Sequence, residues 1–235
     1  MKLADSHGWD LPPGKARALQ DQLAGRVITE TTFDLTALQT VAGVDVSIRA
    51  NQAYAAVVVL SFPDLEPLEQ ALATAEVTFP YVPGLLAFRE GPGVLAALDR
   101  LSTWPDLFIF DAHGLAHPRR LGLASHMGLL LDRPSIGCAK SRLTGTHSEP
   151  GEHVGDWAPL LDGKETIGAV VRSRARVKPL FVSIGHRIDL STAINLVLRC
   201  GRGYRLPETT RCAHKVAGGA AIAMGTAMAY LSGRS

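Results

Sequence analysis

From Thr40 onward, apolar positions alternate with small or polar ones through Val41-Ala42-Gly43-Val44-Asp45-Val46-Ser47-Ile48, and two further runs follow at residues 54–62 and 68–78. A strand shows successive residues to opposite faces, so the pattern predicts three short strands, and the polar breaks between them predict an antiparallel meander. After Pro80-Tyr81-Val82-Pro83-Gly84 the period changes. Leu95, Leu98 and Leu101 recur at helical spacing within residues 85–101, and Gly91, Pro92 and Gly93 predict irregular first turns there. Leu107-Phe108-Ile109-Phe110 is a continuous apolar run ending in Asp111, the pattern of a strand buried on both faces.

A helix over residues 121–131, a buried strand over 134–139, a loop over 149–164 and a hairpin joining 166–171 to 180–184 are predicted next. Helices over 191–200 and 213–231 follow, the second weakened by Gly218, Gly219 and Gly225. The first 25 residues read as an entry turn at Pro12-Pro13-Gly14 and an amphipathic helix from Lys15, with little chemistry of their own. Strands and helices in this order predict one domain over residues 1–235 with a mixed α/β layer. The irregular alternation, and the lack of Gly-x-Gly-x-x-Gly after the first strand, argue against a doubly wound dinucleotide fold.

Composition adds limits more than direction. With 46% hydrophobic and 20% charged residues the chain can bury a sizeable core, and a net charge of +2 means that any polyanion contact must come from local patches. Three cysteines without a Cys-x-x-Cys pair do not make a disulfide framework, which suits a reducing cytoplasm. No run of about 18 apolar residues spans a bilayer, and no apolar leader opens the chain. Nothing in the pattern demands more than a monomer.

The acids are placed unusually. Asp45 sits inside Val44-Asp45-Val46, and Asp111 ends the apolar run. An ionised carboxylate beside a core is costly without a partner, and a cation is a common one. If the first and fourth strands are neighbours, the two side chains can share an ion, with Glu90 as a third ligand. Oxygen ligation points to Mg²⁺, with Mn²⁺ as a substitute. The alternative without chemistry makes Asp45 a bulge or turn residue, Asp111 a strand-end cap and Glu90 a first-turn helix charge. His113, His117, Arg119 and Arg120 crowd behind Asp111, but Gly114 and Pro118 make this a loop rather than a zinc-binding helix. Lys140 and Arg142 put two cations at a strand end, where a phosphate can sit. His214, read as opening the last helix, can meet a metal or a phosphate. Tyr81, held between φ-restricted prolines, suits prising a base from its stack or, more plainly, packing onto the fold.

Taken in order, Val44-Asp45-Val46, Pro80 through Glu90, Asp111-Ala112-His113-Gly114 with His117-Pro118-Arg119, Gly122-Leu123-Ala124-Ser125-His126, and Gly137-Cys138-Ala139-Lys140 resemble the endonuclease V family. Gly185-His186-Arg187 and Tyr204-Arg205-Leu206-Pro207 are similar to it as well. The resemblance implies an RNase H-like mixed sheet flanked by helices. It also implies hydrolysis, by metal-activated water, of the second phosphodiester bond 3′ to deaminated adenine, leaving 3′-hydroxyl and 5′-phosphate ends. It implies metal-binding catalytic roles for Asp45, Glu90 and Asp111, catalytic roles for Lys140 and His214, and contact of His117 with the damaged nucleotide. By the same resemblance Pro80, Tyr81, Val82 and Pro83 form a strand-separating wedge. Gly84, Leu86, Gly122, Leu123 and Leu143 then line the base pocket, and inosine-containing DNA, or RNA, is the partner. A resolvase or hybrid-cleaving RNase H-like nuclease would share the acids without needing the wedge. A non-catalytic nucleic-acid binder would leave the acids unexplained.

Overall fold

The computed structural model describes residues 7–225. Its sheet is built from β1 (Thr40–Arg49), β2 (Gln52–Ser61), β3 (Pro67–Glu76), β4 (Leu107–Phe110), β5 (Ser135–Ala139), β6 (Trp157–Asp162), β7 (Glu165–Val171) and β8 (Leu180–His186). The eight strands lie in the order β3-β2-β1-β4-β5-β8-β7-β6. The predicted meander is present as β1–β2–β3, all antiparallel, while β4 is parallel to both β1 and β5. This mixed sheet, with helices on both faces, is the RNase H-like arrangement.

Alternation along the strands divides the core. Val41, Val58, Leu107, Ile109, Ile136 and Cys138 face one side, where α4 (Leu190–Arg199) and α5 (Glu208–Ala217) cover them. Val44, Val57, Val59, Phe108 and Phe110 face the other, beneath α2 (Leu86–Leu98) and α3 (Leu123–Leu131). The leading helix, α1 (Pro13–Ala24), starts on a proline, where a missing N–H costs nothing.

Three elements depart from expectation. The 149–164 segment is not all loop, because residues from Trp157 form the edge strand β6, and Pro159 is tolerated there because an edge strand has one unpaired side. The last helix runs over Glu208–Ala217 rather than 213–231. Pro207 starts it, Thr209 and Thr210 are buried in its first turn, and the helix stops at Gly218, followed by Gly219 at φ +98°. Residues 226–231 of the expected helix lie outside the described residues. His214 therefore sits in the last turn of α5, not at its opening. The irregular turns expected around Pro92 are absent as a break: α2 runs through it. Among the described residues no helix is long and apolar enough to cross a membrane.

Candidate active site

The parallel pairing of β1 with β4 places Val44 opposite Phe110, and the amide of Asp111 donates to the carbonyl of Val44 at 3.0 Å. Asp45 and Asp111 thus leave adjacent strands side by side. Val41, Gly43 and Asp45 alternate onto the α5 face. There the chain comes very close: a Cβ on Gly43 would lie 1.9 Å from the Thr209 carbonyl oxygen, so glycine is what lets the start of α5 rest directly on β1. Five residues later His214 reaches Asp45, its Nδ1 2.7 Å from Oδ2. Lys140, just past β5, pairs with Asp111.

Asp45, Asp111 and His214 can each offer a ligand atom, and these atoms all lie within 4.8 Å of one another. Glu90 reaches the same region from α2, on the opposite face of the sheet. It is coupled to the others by charge: burial first, then the neighbouring Asp45 and Asp111, push its carboxyl up to about 8. Asp45 is raised as well, by burial and by Asp111, against the opposing hydrogen bond from His214. Acids that resist ionising because they crowd one another are acids that a divalent cation stabilises, and two carboxylates with one imidazole form a donor set that fits such an ion.

Next to the acids is a cavity of about 190 Å³. The expected pocket residues Gly84, Leu86, Gly122, Leu123 and Leu143 line it, together with His117 and with Tyr81, Val82 and Pro83 of the expected wedge, while Pro80 is exposed and lies outside the lining. The lining also includes His113 and Ser141, which lie two residues beyond Asp111 and one beyond Lys140. The cavity and the acid cluster therefore adjoin along two separate chain segments. Tyr81 is 73% exposed, with its ring free to meet a ligand.

The cavity wall is held by a network that sequence reasoning missed. Gly84 takes φ +79°, a left-handed conformation that favours glycine, and its carbonyl accepts from Gln20 Nε2 at 3.0 Å, Arg119 Nη2 at 2.9 Å and His117 Nε2 at 2.9 Å. Gln20 is 1% exposed and also donates to the Leu121 carbonyl at 2.9 Å, while its Oε1 accepts from Arg119 Nε at 2.7 Å. Because the Arg119 amide donates to His117 Nδ1, the ring proton sits on Nε2. Burial lowers His117 to about 4 and His113 to about 4, so both rings are neutral near pH 7. Nothing in the pattern of α1 marks Gln20, whose partners lie 64 and 101 residues away along the chain.

Comparison with known proteins matches residues 21–215 to the Endonuclease V family model. Endonuclease V of Roseiflexus sp. (strain RS-1) is 53% identical over 209 residues, covering 89% of this chain and 93% of the relative. The crystal structure of Endonuclease V from Streptomyces avermitilis superposes with a TM-score of 0.85 at 47% identity, covering 90% of this chain and 93% of that one. Endonuclease V of Ciona intestinalis, crystallised with a 24mer DNA containing an inosine followed by a ribo-adenosine, gives a TM-score of 0.77 at 28% identity, covering 88% and 95%.

Proposed function

This chain belongs to the endonuclease V family, and from that membership we propose that it is a DNA repair endonuclease that nicks strands beside deaminated adenine. The observation that carries the reading is the adjacency of a base-sized cavity and a close cluster of acids, one or two residues apart on two chain segments. A flipped hypoxanthine in the cavity brings a nearby phosphate of the same strand to the acids. The cut falls at the second phosphodiester bond 3′ to the lesion.

Asp45, Asp111 and His214, with Glu90 beside them, would hold Mg²⁺, or Mn²⁺ in its place. Bound there, the cation supplies charge neutralisation at the phosphate and acidifies water. In the hydrolysis a water oxygen bonds to phosphorus as the bond to the 3′ oxygen breaks, and that oxygen leaves with a proton as the 3′-hydroxyl. Lys140, already against Asp111, stabilises the charge that gathers on the phosphoryl oxygens. Tyr81, with Pro80, Val82 and Pro83, fills the gap left by the flipped base. Deamination turns a 6-amino donor into a 6-oxo acceptor and puts a proton on N1, so fixed backbone groups around Gly84 and Gly122 can select the altered edge. His117, Leu86, Leu123 and Leu143 shape the rest of the pocket.

The whole chain, residues 1–235, acts in this reading as a single monomeric unit in the cytoplasm, consistent with three free, buried cysteines. Cleavage of inosine in RNA is the second reading, favoured by the ribo-adenosine that follows inosine in the DNA bound to the Ciona relative. A panel of inosine duplex, inosine RNA, four-way junction and RNA/DNA hybrid separates the readings. Selective cutting of inosine substrates is expected, and equal or better cutting of junction or hybrid would overturn the assignment.

A further inference from the structure

Beyond Lys140 the surface opens into a second depression of about 550 Å³, which meets the base cavity at Ser141, a residue that lines both. The cationic and imidazole side chains lining it are Lys140, His147, Arg172, Arg176, Lys178 and Arg205, and the one acid among its lining residues is Glu149. In a chain whose net charge is only +2, this is a strong local concentration of positive charge.

The loop from β7 to β8 is built to present that charge. Arg172 braces it from within, donating to the carbonyls of Gly151 at 3.0 Å and Val177 at 2.5 Å. Arg205 ties its end to the active site, with Nη2 donating to the carbonyls of Pro179 at 2.9 Å and Lys140 at 2.6 Å. Between these braces Arg176 takes φ +61°, an uncommon and strained conformation for a residue with a side chain. Arg176 and Lys178 are exposed, and among the described residues neither has an ion-pair partner. Two braced arginines thus hold two unneutralised cations beside the lysine that meets the catalytic acids.

The base cavity and the basic bay meet at Ser141, and Lys140, paired with Asp111, belongs to the bay's own lining. If the lesion lies in the cavity and the scissile phosphate at the acids, the strand continues 3′ into the bay. We propose that this bay binds the backbone phosphates of the cut strand on the 3′ side of the scissile bond, with Arg176 and Lys178 as the principal contacts. The inference rests on the endonuclease reading above for its direction along the strand. Its charge content stands independently.

The test compares the wild-type chain with the double variant Arg176→Ala/Lys178→Ala. Binding to fluorescent single strands carrying one inosine is read by anisotropy without divalent cation, while the 3′ arm or the 5′ arm is shortened from about twelve nucleotides to about two. Wild type should weaken several-fold on loss of the 3′ arm, and the double variant should bind the long and short 3′ arms alike while keeping its response to the 5′ arm. On inosine-free DNA the variant's log-affinity against log-salt slope should fall by about 1.4, the release expected for two phosphate contacts on a single strand. An unchanged salt slope, or a response lost for the 5′ arm instead of the 3′ arm, would overturn the proposal. A wild-type chain that shows the salt effect but nicks no inosine strand in a parallel assay would count against the endonuclease reading, not against a phosphate-binding bay. Circular dichroism of the variant, whose two side chains are exposed, checks that it is folded.

Discussion

Burial and the neighbouring Asp111 raise the Asp45 carboxyl, and substitution of either acid by Asn removes charge while keeping volume. Asp45→Asn and Asp111→Asn should each lower nicking by about three orders of magnitude or more, and Asp45→Asn should leave the metal-free melting temperature unchanged or higher, because burial and Asp111 already oppose its charge. Nicking within tenfold of wild type in either variant would remove them from the reaction. Gln20 makes a different claim. Gln20→Met keeps the length but strips one hydrogen bond each from the Gly84 and Leu121 carbonyls and from Arg119, a loss worth on the order of 2 kcal/mol. If Gln20 holds the cavity wall, the variant should bind inosine strands about tenfold more weakly with a nearly unchanged single-turnover rate at saturation. An equal fall in both quantities would instead mean a general structural defect. The acids were legible because charge inside apolar runs is conspicuous in one dimension. Gln20 was not, since an amide in an amphipathic helix acquires meaning only from the Gly84 and Leu121 carbonyls that folding brings to it.

At the scale of elements, the site depends on how closely α5 is laid on β1. Gly43→Ala would drive a methyl into the backbone of Thr209, so it should destabilise the protein by at least about 2 kcal/mol and lower nicking together with stability, by shifting His214. Gly93→Ala is the contrasting case. The nearest atoms its added Cβ would meet are the Ala55, Ala53 and Ala75 methyl carbons at 3.4–3.8 Å, so it should change stability by less than about 1 kcal/mol. Thermal melts of the two variants check this, and equal destabilisation would contradict the close-approach account. The meander and the buried strand ahead of Asp111 could be anticipated from alternation and apolar runs, whereas the parallel pairing that unites the acids could not, because a strand's own residues do not say which neighbour it pairs with. β6 could not, because Pro159 and an exposed Trp157 disguise an edge strand. The bounds of α5 were hidden too, since Thr209 and Thr210 look unlike a helix start and the glycines after Ala217 do not announce which of them ends it.

For the whole molecule, the titrating groups predict how stability varies with pH. Burial lowers His113 and His117 to about 4 and His126 to about 3, so the folded state excludes protons that the unfolded chain takes up below about 6.5. Their contribution is present above 6.5 and is lost as pH falls toward 4. Glu90 works in the opposite sense: raised from 4.5 to about 8, it favours the folded state at low pH and loses that contribution as pH rises through 8. With these histidines outnumbering Glu90 and with Asp45, also raised, on the carboxyl side, the metal-free protein should gain stability as pH rises between about 4.5 and 6.5 and then lose some of it toward pH 8. Saturating Mg²⁺ should abolish the alkaline decline and raise the melting temperature most near pH 8. Melts across pH with EDTA and with Mg²⁺ check both limbs, and an alkaline decline that Mg²⁺ leaves intact would take Glu90 out of the cation site.

The central claim is that cavity and acids act on one strand at a fixed distance. The measurement that tests it most directly is nicking of a duplex carrying a single deoxyinosine, with Mg²⁺ or EDTA and an undamaged control, the cut mapped at nucleotide resolution. The account predicts a Mg²⁺-dependent nick at the second phosphodiester bond 3′ to the inosine, with 3′-hydroxyl and 5′-phosphate ends. A cut at any other bond, or one that forms equally on undamaged DNA, would contradict it.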